Sequence, residues 1–184
     1  MGDYTLIETP GGERQFVLDP TEYGGDITII AADIDLPGDA DAELVDGAWV
    51  VPLDILKRRK SEEVNAFLAG QFLAGFTPSS GPLAGHTLQT RDNTDRTNWL
   101  TSQASYSAAV QQSAGDVAGA EFRTAANETI TCTYAEGLQT LLDMAAWGKA
   151  IMGKSWTLKD AIAAKTDPAD VEAFDVATEW AALP

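Results

Sequence analysis

The chain has 184 residues, 45% of them hydrophobic, which is enough to build a real core and too much for a disordered tail. Its 28 acidic residues against 12 basic ones give a formal charge of −16, and an acidic surface repels a polyanion, which argues against binding nucleic acid through phosphates. One cysteine, Cys132, rules out an internal disulfide framework and a zinc site of the paired-cysteine kind.

The opening MGDYTLIETPGG has no basic region followed by an apolar run, so no secretory signal is expected. No stretch approaches the ~20 apolar residues of a membrane span, so no membrane partner is expected either. Charge is unevenly placed. Residues 1–56 hold 13 acidic groups against the single Arg14, whereas 57–184 hold 15 against 11 basic groups, and this asymmetry suggests two units.

Residues 1–52 read as an acidic β-rich module. Tyr4–Glu8 and Arg14–Leu18 flank the turn residues Pro10-Gly11-Gly12, and Ile27–Ala32 is a β-branched run after Gly24-Gly25. Leu44-Val45 and Ala48–Val51 bracket Asp46-Gly47, a strong hairpin signal because a type I′ turn needs positive φ at both central positions. A four- or five-stranded antiparallel unit is expected, with too few apolar residues to be comfortable alone, and so suited to attachment or partner contact. Between its strands Asp33, Asp35, Asp39, Asp41 and Glu43 cluster enough carboxylates to be weighed as a calcium site. The spacing departs from an EF-hand loop, and a solvated acidic loop explains the cluster as well.

Pro52 ends the last strand and suits a helix start, so residues 53–184 form the second expected domain. A first helix runs to about Gly75, with Leu56, Val64, Phe67, Leu68 and Phe72 near one face. The basic run Lys57, Arg58, Arg59, Lys60 is followed at once by Glu62 and Glu63 and reads as a solvated turn of that helix. Gly, Pro and Ser crowd 76–91, with Thr87–Thr90 as a short returning strand. Asp92 is placed to N-cap a second helix, on which Trp99, Gln103, Tyr106 and Val110 share a face. Glu121–Thr124 and Thr129–Thr133 read as a hairpin, the latter with Ile130 and Cys132 inward. Thr133-Tyr134-Ala135-Glu136 fits a capping box, and the helix it opens carries Leu138, Leu141, Leu142 and Ala145 towards Ile162; Gly148 and Gly153 weaken its interior, which allows a bend near Gly153 or a new helix starting at Ser155 or Thr157. Asp167-Pro168 starts a last short helix carrying Val171 and Phe174. The fold class is therefore α+β: a small antiparallel β N-terminal module, then a helix-rich domain with two short β-hairpins.

The chemistry sought along the chain is sparse. His86 lies in a Gly/Pro loop and Cys132 at an inward strand position, so a His–Cys dyad is weighed against a packed cysteine and set behind it. PGGER and FTPSSGPLAGH lack the Gly-Lys-Ser/Thr ending of a phosphate loop and the GxGxxG of a dinucleotide site. No catalytic residue and no cofactor is expected, and the chain is read as a non-enzyme. Trp49, Trp99, Tyr106, Trp147, Trp156 and Trp180 are candidate partner-interface residues, because aromatics are favoured at interface centres, with burial in the chain's own core as the competing reading.

Three runs carry a resemblance. Leu53-Asp54-Ile55-Leu56-Lys57-Arg58-Arg59-Lys60-Ser61-Glu62-Glu63-Val64-Asn65 looks like the leading helix of a domain found in phage tail-fibre and fibre-assembly proteins. Leu88–Leu100 resembles its strand followed by an Asp- and Asn-rich helix start, and Glu121–Ile130, Tyr134–Leu138 and Leu158–Ile162 are similar to the C-terminal part of the domain catalogued as DUF4376. The resemblance covers about residues 53–164. It implies a structural component of a phage tail, at the tail tip or fibre, that is synthesised in the host cytoplasm, resides in the virion and binds other tail or fibre proteins. A homo-oligomer follows by analogy, with a trimer favoured. A fibre-assembly chaperone and a capsid decoration protein are the alternatives.

Overall fold

A computed structural model describes residues 4–17, 28–34, 39–45 and 48–183. The chain divides into two compact units, residues 1–56 and 57–184. Helix α1 (Leu53–Ala74) carries the division in its first turn, a few residues beyond Pro52.

In the first unit, β1 (Tyr4–Glu8), β2 (Arg14–Val17) and β3 (Thr28–Ile34) form an antiparallel sheet of order β2-β1-β3. The β1–β2 connection closes through Thr9 N–H donating to the Glu13 carbonyl at 2.8 Å, with Gly12 at φ 80°, a conformation glycine adopts without strain. Arg14 then pairs with Glu8 across the strands at 3.1 Å. Leu6 and Ile7 are buried, and the β1–β3 register shifts between Tyr4 and Ile7, which marks a bulge. β4 (Glu43–Val45) and β5 (Ala48–Val50) pair separately, so the described residues of this unit hold the expected antiparallel strands, five of them, divided between two sheets. Strands of three residues satisfy their facing backbone groups within their own hairpin. The register Val45↔Ala48 leaves two residues for the expected Asp46-Gly47 turn, which lies outside the described residues, as do Leu18, Gly24-Gly25 and Ile27.

The second unit is built on α1, α2 (Asn93–Gln111), the hairpin β6 (Ala118–Arg123) and β7 (Thr129–Thr133), and the helices α3 (Tyr134–Ala164), α4 (Pro168–Glu172) and α5 (Val176–Ala182). α1 stops at Gly75, whose φ of +89° suits a helix C′ position, and an added Cβ there would sit 2.6 Å from the Leu88 carbonyl oxygen. The expected returning strand is reduced to the single bridge Phe76↔Leu88. The segment between them closes on itself instead, with Gly85 N–H donating to the Pro78 carbonyl, and buries Leu83 as an anchor. Only the hairpin β6–β7 is therefore a full ladder in this unit.

Helix starts follow their caps. The Asp92 carboxylate accepts from Asp95 N–H at 2.9 Å, and Thr133 and Glu136 exchange the reciprocal bonds of a capping box. Asp167 and Asp175 cap α4 and α5. Hydrogen bonds to ionised Asp95, Glu136 and Asp175 hold each carboxyl below the usual carboxylate range: from Arg91 to Asp95, from Thr133 to Glu136, and from Thr178 to Asp175. A depressed folded-state pKa contributes stability that is present above the unfolded value of ~4 and is lost as pH falls through the folded value. Thermal denaturation between neutral pH and pH ~3 should accordingly show the melting temperature falling only at the acid end.

α3 is one unbroken helix of 31 residues, so no new helix starts at Ser155 or Thr157. Its two halves serve two cores. Leu141 and Met144 join Phe76, Leu83, Leu88, Tyr106, Phe122 and Cys132, while Ile151, Leu158 and Ile162 join Val64, Phe174, Val176 and Trp180. Trp147 packs against both, in ring contact with Phe72 and Phe76 at 5.6 Å each. Burial on this scale outweighs the ~1 kcal/mol that each helical glycine costs relative to alanine.

Gly137 lets α3 lie close on β6. A Cβ there would stand 2.5 Å from the Ala120 Cβ and 3.2 Å from Tyr106. Gly137→Ala is expected to lower stability by ~1–2 kcal/mol in urea unfolding even though alanine is the better helix former, because overpacking dominates. The buried Ser155 hydroxyl makes the opposite case, since its Oγ has no hydrogen-bond partner. Ser155→Ala should raise stability by ~1 kcal/mol, and a lower urea midpoint would refute that.

Candidate functional site

α2 and α3 run antiparallel: Ala135 N–H donates to the Gly115 carbonyl at 3.0 Å, which joins the C-terminal end of α2 to the N-terminal end of α3. Towards the other end of α2, residues of both helices and Phe72, the last aromatic of α1, line a common surface. The result is an open groove of about 240 Å³. Its wall is apolar: Trp99 and Leu100 from α2, Leu141, Met144, Ala145 and Gly148 from α3. Trp99 is held by its indole N–H donating to the Gln89 carbonyl at 2.6 Å and by stacking on Phe122 at 5.8 Å. Arg96 spans the rim with its guanidinium 5.1 Å over the Phe72 ring. Leu100 stands 65% exposed beside the groove, a large apolar side chain that the fold itself leaves uncovered.

The expected interface aromatics separate. Tyr106 and Trp180 are buried within the second unit, and Trp99 and Trp147 are partly buried against its cores. Their surface is spent on this chain because α1, α3 and the hairpin close on them. Tyr106 also brackets β6, its hydroxyl donating to the Glu121 carbonyl at 3.1 Å and accepting from Glu121 N–H at 3.2 Å, and burial pushes its phenol up. Trp49 is half-buried in the first unit beside Leu6, Arg14 and Leu44. Trp156 is 57% exposed on α3.

Cys132 and His86 do not form a dyad. His86 Nδ1 lies 3.3 Å from the Glu128 carboxylate at the turn end of the β6–β7 hairpin, whereas Cys132 pairs with Ala120 towards the other end, buried in the core. Burial pushes its thiol up, away from the reactive thiolate. Of the weighed calcium ligands, Asp35 lies outside the described residues, as does the side chain of Asp33. Asp39 accepts a hydrogen bond from Asp41 N–H at 3.0 Å, which is turn geometry. Among the described residues no three His, Cys, Asp or Glu side chains converge on a point. No helix among them is long and apolar enough to cross a membrane.

Sequence reasoning placed Trp99, Gln103 and Leu141 on inward faces but missed Leu100, Met144 and Gly148 as parts of one groove. An isolated glycine in the α3 pattern was the available signal. The profile of a family described as "Domain of unknown function (DUF4376)" matches residues 55–178. Neither the curated proteins nor the solved structures give a match.

Proposed function

The chain belongs to the DUF4376 family, and from that premise we propose that it is a structural component of a phage tail, binding other tail proteins in symmetric copies. The observation that supports a binding role is the groove between α2 and α3: an open apolar wall with a cation at its rim and no acid–base pair within it. A groove of this kind takes an apolar side chain or helix face of a protein partner. The tail setting rests on the resemblance of Leu53–Asn65, Leu88–Leu100, Glu121–Ile130, Tyr134–Leu138 and Leu158–Ile162 to the domain of tail-fibre and fibre-assembly proteins.

The same reading gives the chain no catalytic step, in keeping with a buried Cys132 thiol and a His86 engaged by Glu128. Its charge adds a preference. Residues 1–56 carry 13 acidic groups and one basic group, so a partner with a basic face is favoured at that end. The test is mass spectrometry of purified particles of the phage or prophage that encodes the chain. Presence in tails at constant stoichiometry is the expected result. A chain found with the fibre in lysates but missing from particles would replace this reading with an assembly chaperone, and localisation on the head would replace it with capsid decoration.

A further inference from the structure

The outward face of α3, opposite the core residues Ile151, Leu158 and Ile162, presents Lys149, Gly153, Trp156 and Asp160 in a row. Their spacing of four, three and four residues keeps one helix face in register over three turns. Lys149, Trp156 and Asp160 are exposed, and Trp156, at 57%, is the exposed aromatic among the large apolar side chains of the described residues. A Cβ built on Gly153 meets nothing within 4 Å, so the space over this helical glycine is open to a partner's side chain. Lys149 and Asp160 have no hydrogen-bond or ion-pair partner among the described residues. Eleven residues apart, or ~16 Å along the axis, they are too distant to pair with each other on one helix.

The spacing reads the same from both ends. When a second α3 lies antiparallel, the register that brings Lys149 to the partner's Asp160 also sets Gly153 opposite the partner's Trp156. A two-fold axis between Gly153 and Trp156 then repeats both contacts. Flanking positions on the same seam, Ala146 and Ala163, are small and exposed and face each other in this register, and Lys57 of α1 lies beside the seam with its ammonium donating to the Ala163 carbonyl at 2.7 Å. We infer that α3 is a homodimerisation surface: two copies of this chain pack their α3 helices antiparallel, with each Trp156 seated over the partner's Gly153 between two Lys149–Asp160 ion pairs. The inference is independent of the tail reading, and it specifies two-fold rather than three-fold pairing.

Sedimentation equilibrium of the full chain at about 0.15 M salt, where charges beyond ~8 Å are screened, tests it. A monomer–dimer equilibrium is expected. Trp156→Ala should weaken it at least ~10-fold, since a desolvated tryptophan at an interface centre dominates binding. Lys149→Asp and Asp160→Lys should each weaken self-association by ~10-fold, because each sets like charges against one another twice in the symmetric dimer. Mixing the K149D chain with the D160K chain should restore the dimer as a heterodimer, since every facing pair is again of opposite sign. Circular dichroism serves as the control that these exposed substitutions leave the fold intact.

A wild-type chain that stays monomeric up to ~1 mM would overturn the proposal, as would a dimer indifferent to the charge reversals or a mixture that fails to re-form it. A monomeric chain whose W156A variant no longer joins the particle would assign this face to another protein and overturn it equally.

Discussion

Replacing Phe122 by alanine will destabilise the second unit by ~3–5 kcal/mol, the range for removing an aromatic from a close-packed core. Phe122 is 1% exposed and stands where α2, β6 and α3 meet. It stacks on Trp99 at 5.8 Å and tilts against Tyr106 at 5.9 Å, and such pairs contribute ~0.5–1.5 kcal/mol each beyond the buried area. The upper part of the range is expected because the site cannot collapse into the space left. Trp99 is tied to the Gln89 carbonyl, Tyr106 is tied twice to the Glu121 backbone, and Ala120 on the same strand already touches the helix at Gly137. Phe122→Leu keeps most of the volume and should lose ~1.5 kcal/mol. Urea unfolding followed by near-ultraviolet circular dichroism separates the two variants, and a loss below ~1.5 kcal/mol for the alanine variant would show that the surrounding side chains move after all.

The parts of this fold that were legible in the sequence are those whose physics is local. Asp92, the Thr133–Glu136 box and Asp167-Pro168 each bring their partners within four residues, so the starts of α2, α3 and α4 could be read directly. Alternation also sufficed for Thr129–Thr133, where Cys132 is buried and Thr131 exposed. The α+β class follows from these pieces and stands in the structure. What sequence spacing mistook is decided by tertiary contact. A new helix from Ser155 or Thr157 was a fair expectation from glycine's helix propensity at Gly153, yet Ile151, Ser155, Leu158 and Ile162 are buried on one continuous face that only an unbroken helix provides. The returning strand at Thr87–Thr90 shrank to one bridge because Gly75, Pro78 and Leu83 organise the loop around an anchor rather than a ladder. The groove was half-legible. Trp99 and Leu141 lie on faces that periodicity reveals, but that those faces meet depends on the antiparallel contact set by Gly115 and Ala135, twenty residues apart in sequence and adjacent only after folding.

α5 is the element that sequence spacing did not yield at all, and the reason sets up the second large effect. Its seven residues are too few to form a helix on their own, so Val176–Ala182 exists because Trp180 docks. Trp180 is 6% exposed, lies 5.0 Å from the Phe67 ring of α1, and shares its core with Val64, Leu158 and Ile162. Lys154 of α3 closes the arrangement by donating to the Leu183 carbonyl at 2.7 Å, a cation satisfying backbone acceptors at a helix C-terminus. Trp180→Ala should therefore release α5 as a unit rather than leave a cavity, exposing Val176 and the Phe67 face at once. The expected loss is ~3–5 kcal/mol by the same scale as for Phe122, but with a different signature. Amide exchange across residues 176–182 should rise towards unprotected rates, while the Tyr106–Phe122 core, served by the other half of α3, keeps its protection. Lys154→Met keeps the apolar stem but removes the ammonium and its hydrogen bond to the Leu183 carbonyl, and should have a smaller effect of ~1 kcal/mol. Uniform loss of protection across both cores in the Trp180 variant would show that α3 couples them into one cooperative unit, and the account of α5 as a separately docked element would then fail.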